Sequence, residues 1–268
     1  MKKINAMFKR LATRGEKALI PYITAGDPSL ATSRELVLEM ARRGADLIEL
    51  GIPFSDPLAD GPTIQAACQR ALRQEVNLPK ILDLVRTLRQ DTDIPLVLMG
   101  YYNPILAYGL DRLARDAAAA GVDGFIIPDL PGEEARDWHR AACAAGLAPV
   151  FLAAPTSGPE RIRKIGALTR GFLYYVSVTG ITGARAGLAE DLKTSLVEVR
   201  KLVACPLAVG FGISTPEQVR ELAPYVDGVV VGSAIVQKIA CRETPEMIRE
   251  IGDFVAALKA PLQAGKRE

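Results

Sequence analysis

The stretch 206-PLAVGFGISTPEQVRELAPYVDGVVVG-232 shows the pattern that decides the fold. Two short apolar runs, at 206–212 and 227–232, enclose an amphipathic segment at 215–224. A continuous run of Val, Leu and Ala indicates a strand covered on both faces, which is typical of parallel sheets. The order strand, helix, strand is the unit from which such sheets are built.

The same alternation runs through the rest of the chain. Six further strands are predicted at ALIPYIT (18–24), DLIEL (46–50), PLVLMG (95–100), GFIIPD (124–129), APVFLA (148–153) and GFLYYVS (171–177). Helical patterns separate them. Eight units in roughly 250 residues predict an α/β fold, a (β/α)8 TIM barrel. We expect one domain over residues 1–268, with a frayed tail at 263–268. An open doubly wound sheet competes, but the first strand leads to TAGDPS, which lacks the glycine fingerprint of that fold.

Composition favours a small-molecule role. Lys and Arg number 33 against 31 Asp and Glu, so the net charge is +2 and nothing indicates a nucleic-acid or membrane partner. No apolar run is long enough for a signal peptide or a membrane span, which predicts a cytoplasmic protein.

The cysteines and the single histidine indicate no metal centre. Cys68, Cys143, Cys205 and Cys241 are far apart and form no CxxC pair, as expected of free thiols in a reducing compartment. His139 and Cys143 share a helical face, but two ligands do not make a structural zinc site. One histidine also excludes most histidine-based mechanisms.

Two carboxylates mark the end of the second predicted strand. Glu49 ends an apolar run, and Asp60 lies in a Pro-rich loop that runs until a helix begins near Thr63. Loops after strands carry the active site of a barrel. Lone loop carboxylates such as Asp56 are usually caps or turn residues. Glu49 differs, because an unpaired carboxylate at the end of a buried strand is costly unless something uses it, and general acid–base chemistry is the predicted use.

The loops after the last two strands predict a phosphate cradle. Gly210 and Gly212 permit close backbone approach, and Ser214–Glu217 is read as a capping box. Gly232–Val236 predicts a short helix whose free N–H groups, with the Ser233 hydroxyl, attract a dianion. Each loop alone would more often be an ordinary turn, but their joint occurrence after the last two strands favours phosphate binding.

Further residues near strand ends suggest a lid and an aromatic pocket. The long loop SVTGITGARAGLAED at 177–191 contains three glycines, which is typical of a mobile lid, although flexibility alone would explain them. Aromatic side chains either line a pocket for a flat aromatic substrate or belong to the core; they are Tyr22, Tyr101, Tyr174 and Phe211.

Five segments carry a resemblance to one family. They are PYITAGDP (21–28), ELGIPFSDPLADGPTIQ (49–65), TGITGAR (179–185), GFGIS (210–214) and VGSAIV (231–236). Through them the sequence resembles the tryptophan synthase alpha-chain family over essentially its whole length. The resemblance implies retro-aldol cleavage of indole-3-glycerol phosphate to indole and glyceraldehyde 3-phosphate, without a metal or an organic cofactor in this chain.

The resemblance also implies roles for individual residues. Glu49 is similar to the general acid–base that protonates indole C3 and takes the proton of the glycerol hydroxyl, and Asp60 to the partner of the indole N–H. Thr182 matches the lid hydroxyl that meets Asp60 on closure. The implied phosphate contacts are Gly183, Gly212, Gly232 and Ser233, and the implied indole pocket is Tyr22, Tyr101, Tyr174 and Phe211. Where some members carry Arg and Ala in the lid, this chain has Val178 and Thr179.

A partner is implied as well: a pyridoxal-phosphate beta chain in an αββα heterotetramer that passes indole between sites, with the pyridoxal phosphate held by the beta chain. Two alternatives stay open. One is another phosphate-binding barrel, such as a sugar-phosphate epimerase or isomerase, against whose metal-dependent versions the scarcity of histidine argues. The other is a catalytically idle allosteric subunit, against which the presence of both Glu49 and Asp60 argues.

Overall fold

The computed structural model describes residues 1–177, 190–210, 212–240 and 244–264. Several residues singled out in the sequence lie outside this part of the chain: Val178, Thr179, Thr182, Gly183, Phe211, Cys241 and 265–268 of the tail.

Strands occur at all eight predicted places. Their bounds are β1 Ala18–Thr24, β2 Ile48–Gly51, β3 Leu96–Met99, β4 Gly124–Ile126, β5 Ala148–Val150, β6 Leu152–Ala153, β7 Leu173–Val176, β8 Leu207–Gly210 and β9 Gly228–Val231. The fifth predicted strand is divided at Phe151 into β5 and β6.

All pairings are parallel, and the order is β5-β4-β3-β2-β1-β9-β8-β7-β6. Because β5 pairs with β4 and β6 pairs with β7, the stretch 148–153 closes the sheet into a ring. The barrel is confirmed, and the open sheet is wrong.

Helices fill the connections and cover the outside of the ring. They are α1 Lys2–Thr13, α2 Leu30–Arg42, α3 Pro62–Leu72, α4 Leu78–Leu88, α5 Tyr102–Tyr108, α6 Leu110–Ala120, α7 Arg136–Ala144, α8 Pro159–Leu168, α9 Glu190–Leu202, α10 Pro216–Leu222, α11 Ser233–Ile239 and α12 Pro245–Lys259, followed by a 3-10 turn at Ala260–Leu262. None of the described helices is both long and apolar enough to cross a membrane.

The predicted capping box before α10 is wrong by one residue. Thr215, not Ser214, is the N-cap, and its hydroxyl accepts the N–H of Gln218 at 3.3 Å. The Gln218 side chain accepts in return from the N–H of Thr215 at 3.2 Å. Pro216 decides the register, because its fixed φ suits the first helical position and makes the residue before it the cap. Glu217 is left exposed.

Helix α1 closes the N-terminal end of the barrel. Its apolar positions Ile4, Met7, Phe8 and Leu11 are buried in one cluster with interior residues of the strands. The Phe8 and Phe172 rings lie 5.7 Å apart at this contact. Since this end is plugged, the C-terminal end is the one left for a site.

Three carboxylates, two of them buried and one partly buried, join neighbouring strands at the N-terminal end. They lie just before β2, β4 and β9, and each side chain accepts the N–H of a residue in the preceding strand, at 2.9, 3.0 and 2.8 Å. Each carboxylate also meets a cation. We call these three groups the basal clamps: Asp46 with Leu19 and Lys259, Asp123 with Leu96 and Arg89, and Asp227 with Leu207 and Arg200. They satisfy backbone donors that would otherwise be orphaned at the strand starts.

The candidate active site at the C-terminal end of the barrel

Glu49 is the second of the four residues of β2 and lies opposite Tyr22 of β1 in the parallel register. The side chain is 1% exposed, and its Oε2 has no hydrogen-bond partner among the described residues. Burial, followed by the charge of Asp60, raises the pKa of Glu49 to about 8. The carboxyl is therefore protonated at neutral pH and can deliver a proton.

Asp60 lies in the loop between β2 and α3, where Tyr101 holds it. The Tyr101 hydroxyl accepts the Ala59 N–H at 2.9 Å and hydrogen-bonds to the Asp60 carboxylate. The Tyr101 ring also packs against Phe54, with 5.4 Å between ring centroids. Burial raises the pKa of Asp60 to about 6, against the opposing effect of the Tyr101 hydroxyl. At pH 7 the site thus contains one neutral carboxyl group, Glu49, and one ionised carboxylate, Asp60. Two such groups can act as a proton donor and as a stabiliser of positive charge.

Two buried tyrosines flank Glu49, and each fits against a glycine at a strand end. A Cβ on Gly51 would lie 2.1 Å from the Tyr22 hydroxyl, and one on Gly210 would lie 2.4 Å from that of Tyr174. Only glycine leaves room for these hydroxyls. Burial, with the negative charge of the two carboxylates added, raises the pKa of both tyrosines well above the ordinary value, so they stay neutral.

The two predicted phosphate loops lie at the same end of the barrel. Gly212, after β8, has a φ of +77°, a conformation that favours glycine. Gly232 is the N-cap of α11, whose first residue is Ser233, so the predicted short helix is confirmed. A Cβ on Gly232 would lie 3.4 Å from the Cβ of Tyr22. Tyr22 therefore lies between Glu49 and the loop after β9.

Thr24 and Cys68 belong to the same region, although the sequence did not single them out as site residues. The Thr24 Oγ1 lies 3.2 Å from the Tyr22 hydroxyl. Cys68 of α3 is buried in one cluster with Tyr22. For Thr24 a signal existed, because it shares a strand face with Tyr22 two residues earlier. For Cys68 the pattern offered only an apolar helical position.

The histidine and the described cysteines do not form a second site. Cys143 Sγ lies 3.8 Å from His139 Nε2, which itself lies 3.0 Å from the Leu168 carbonyl oxygen. Within the described ranges, no three potential metal ligands come together. The three described cysteines are free thiols.

A closed parallel barrel with a protonated acid and an ionised carboxylate at its C-terminal end defines an acid–base enzyme of the TIM-barrel class. The family model described as "Tryptophan synthase alpha chain" matches residues 8–261. The chain belongs to the tryptophan synthase alpha-chain family.

Individual relatives agree with this assignment. A tryptophan synthase alpha chain of Citrifermentans bemidjiense is 53% identical over 267 residues, covering 100% of both chains. One from Geotalea uraniireducens is 53% identical over 98% of this chain and 99% of its own. The crystal structure of tryptophan synthase subunit alpha from Legionella pneumophila str. Paris superposes with a TM-score of 0.90 at 38% identity, covering 98% of each chain.

Proposed function

We propose that Glu49 and Asp60 carry out the reaction of this family at the C-terminal end of the barrel, the cleavage of indole-3-glycerol phosphate to indole and glyceraldehyde 3-phosphate. The observation that carries the proposal is the Glu49 carboxyl, which is buried, protonated at neutral pH and has one oxygen unsatisfied by the described protein. A buried unsatisfied oxygen costs free energy, and a substrate that supplies its partner explains the cost.

Glu49 acts twice, first giving a proton and then taking a different one. Glu49 gives its proton to C3 of the indole ring, and the positive charge that results is shared with the ring nitrogen, whose N–H donates to the Asp60 carboxylate. The bond between C3 and the glycerol carbon then breaks, and its electron pair restores the indole ring. The hydroxyl on that carbon gives its proton to Glu49 and becomes the aldehyde, so Glu49 ends as it began.

A direct assay tests this activity. Purified protein is incubated with indole-3-glycerol phosphate, and indole and glyceraldehyde 3-phosphate are measured. Equal amounts of both products are expected, with a strong loss in Asp60→Asn, which keeps the size but not the charge that faces the indole nitrogen. If folded protein forms no indole, even after a beta chain is added, the result would favour the alternative of a catalytically idle allosteric subunit.

For the phosphate we propose Gly212, Gly232 and Ser233, together with Gly183, and we propose that the Thr182 hydroxyl meets Asp60 on closure. Gly183 and Thr182 lie outside the described residues. The positions of the loops after β8 and β9 support this choice, as does the place of Gly232 beside Tyr22. Tyr22, Tyr101, Tyr174 and Phe211 are proposed to enclose the indole ring.

Gly232→Asp tests the phosphate site, because it adds a negative charge beside the proposed phosphate. Calorimetric titration should show weaker binding of glyceraldehyde 3-phosphate in this variant. Gly158→Asp is the matched control, since Gly158 is the N-cap of α8 with open space around it. Equal affinities in the two folded variants would place the phosphate elsewhere.

We also propose a pyridoxal-phosphate beta chain as partner, in a cytoplasmic αββα complex, with no cofactor held by this chain. The rim of the site offers apolar surface for docking: Leu58, two residues before Asp60, is 92% exposed, and Leu106 of α5 is 52% exposed. Binding at these residues would couple the partner to the loop that carries Asp60.

The docking surface has an internal control in Val197 of α9, which is 40% exposed on the outside of the barrel. Leu58→Glu and Leu106→Glu should weaken assembly with a beta chain in sedimentation experiments, whereas Val197→Glu should not. Faster indole release on addition of the beta chain is expected for the parent. Equal assembly of all three variants would rule this rim out as the docking surface.

A further inference from the structure

Helix α3 begins two residues after Asp60 and lies beside the site. Its buried face includes Ile64 and Cys68, which belong to one cluster with Tyr22 of β1. The helix is also bonded to the loop before it, because the Gln65 side chain donates to the Asp60 carbonyl oxygen at 2.8 Å. A displacement of α3 therefore displaces Asp60 as well.

The apolar contacts of α3 do not by themselves fix its position. Three of its four buried residues are small, namely Ala67, Cys68 and Ala71, and apolar contact has no preferred direction. Arg70 is the only charged residue of the helix. Its guanidinium donates to both carboxylate oxygens of Asp27, from Nε to Oδ1 at 2.7 Å and from Nη2 to Oδ2 at 2.8 Å. A two-pronged contact of this kind sets orientation as well as distance.

Asp27 is a fixed point to which α3 is tied. It is 1% exposed and lies in the loop between β1 and α2. Its N–H donates to the Thr24 carbonyl oxygen of β1 at 3.2 Å. The neighbouring Gly26 N–H donates to Ser33 Oγ of α2 at 2.9 Å. The loop is thus bonded to the elements on both sides of it, so it does not move with α3.

We propose that Asp27 and Arg70 are positioning residues, whose ion pair fixes α3 to the loop after β1 and thereby holds Asp60 where catalysis needs it. The inference rests on the proposed function of Asp60. Neither residue is assigned a contact with the substrate, and the pair acts through α3. Because a buried carboxylate is costly without its cation, α3 cannot shift freely while Arg70 neutralises Asp27.

Loss of the ion pair should act on turnover rather than on substrate binding. Once α3 is free to shift, the Asp60 carboxylate leaves its place for part of the time and stabilises the charge on the indole nitrogen less well. The proposed phosphate contacts follow β8 and β9 directly and keep their places. We expect kcat of Arg70→Met to fall about 10- to 100-fold, since small misplacements of a catalytic group have effects of this size. The Michaelis constant should stay within about threefold of that of the parent.

Lys259→Met is the matched control, because it makes the same kind of change at the opposite end of the barrel. Lys259 Nζ lies 2.7 Å from the Asp46 carboxylate, so its loss also leaves a buried carboxylate without its cation. Both variants should melt at a lower temperature than the parent. Only Arg70→Met should lose kcat. Equal kcat in the two folded variants, whether high or low, overturns the inference, as does a higher Michaelis constant at unchanged kcat in Arg70→Met.

The double variant Asp27→Asn/Arg70→Met separates stability from position. It leaves no charge buried alone, so it should regain part of the melting temperature that Arg70→Met loses. Its kcat should stay within about threefold of that of Arg70→Met, because α3 is still not tied to the loop after β1. A kcat that recovers together with the melting temperature overturns the inference, since stability alone would then explain the loss.

Arg70→Lys replaces Arg70→Met if the latter fails to fold. Lysine keeps the positive charge but cannot make the two-pronged contact. Its kcat should fall less, about 3- to 10-fold, at a melting temperature close to that of the parent. The kcat of the parent in this variant counts against a role of the pair in orienting α3.

Hydrogen exchange in the ligand-free protein keeps the test independent of the activity. Amides at 52–72 should exchange faster in Arg70→Met than in the parent and in Lys259→Met, while amides of β3 exchange alike in the two variants. If the parent forms no indole, the proposed function fails, and exchange still decides whether the ion pair holds α3. Equal exchange at 52–72 in the two variants refutes the attachment even if the parent is active.

Discussion

Buried carboxylates have different surroundings at the two ends of the barrel. At the N-terminal end, Asp46 meets the Lys259 ammonium at 2.7 Å and the Leu19 N–H at 2.9 Å. At the C-terminal end, Glu49 is buried as deeply and has an oxygen without a partner in the described protein. A carboxylate with its partners holds the fold together, and one deprived of them is left with a raised pKa and a capacity to react.

The largest expected effect lies at the C-terminal end. Glu49→Gln keeps the size of the side chain but cannot exchange a proton, so kcat should fall by roughly 10³-fold or more, within the usual range for general acid–base catalysis. Single-turnover assays with indole-3-glycerol phosphate measure the loss, and titration with substrate should show that binding persists. Activity within tenfold of the parent would remove Glu49 from the chemistry.

Lys259→Met should have the largest effect at the opposite end. It leaves Asp46 charged and buried without its cation, which typically costs about 3–5 kcal/mol of unfolding free energy. Urea titration measures this, and kcat of the folded fraction should stay that of the parent. Arg200→Ala provides the comparison, because Arg200 is half exposed beside Asp227 and its loss should cost about 1 kcal/mol or less. Equal losses in the two variants would mean that burial does not decide what a clamp contributes.

Glu49→Gln should also stabilise the protein, in contrast to Lys259→Met. The folded pKa of about 8 lies above the ordinary 4.5, so the Glu49 carboxyl lowers the free energy of unfolding as the pH rises. This loss is absent below pH 4.5, grows up to pH 8 and stays constant above it. Removing the group should gain about 3 kcal/mol at pH 7 and little at pH 4. Urea titrations of both proteins at the two pH values provide the measurement. A gain that does not depend on pH would contradict the raised pKa.

The pH dependence of kcat/KM should show the two carboxyl groups separately. Activity needs Asp60 ionised and Glu49 protonated, so the profile should be bell-shaped, falling below about pH 6 and above about pH 8. These are values of the coupled pair rather than of isolated groups. Asp60→Asn should remove the acid limb from what activity remains. A profile flat from pH 5 to pH 9 would exclude this assignment.

Much of the barrel was predictable because its strands are buried on both faces and therefore form continuous apolar runs. The break at Phe151 was not, since closing the ring depends on the geometry of all the strands together. The plug formed by α1 left a signal that the prediction did not use: Ile4, Met7, Phe8 and Leu11 have the spacing of a helical face. The apolar pattern places Asp46 in a strand, but β2 begins at Ile48.

For the site, a residue's place along its strand could be predicted, whereas its contacts with residues distant in the sequence could not. Glu49 could be singled out because the end of an apolar strand is a costly place for a carboxylate. Thr24 had a weaker signal, the strand face that it shares with Tyr22, and Cys68 had none, since its contact with Tyr22 depends on α3 folding back over β1. The same limit applies to Asp46 and Lys259, which meet across 213 residues of chain. Ser214 and Thr215 are adjacent, so either could have been the N-cap of α10. Pro216 fixes Thr215 as the N-cap, because proline favours the first helical position.

The plug at the N-terminal end has a consequence for synthesis on the ribosome. Phe8 packs against Phe172, so a helix made near the start of translation waits for a strand made more than a hundred residues later. At typical elongation rates this delay lasts roughly ten to thirty seconds. During that time the apolar face of α1 is only partly covered and is a surface that a chaperone can hold. The earliest helix to form is then among the last to be buried.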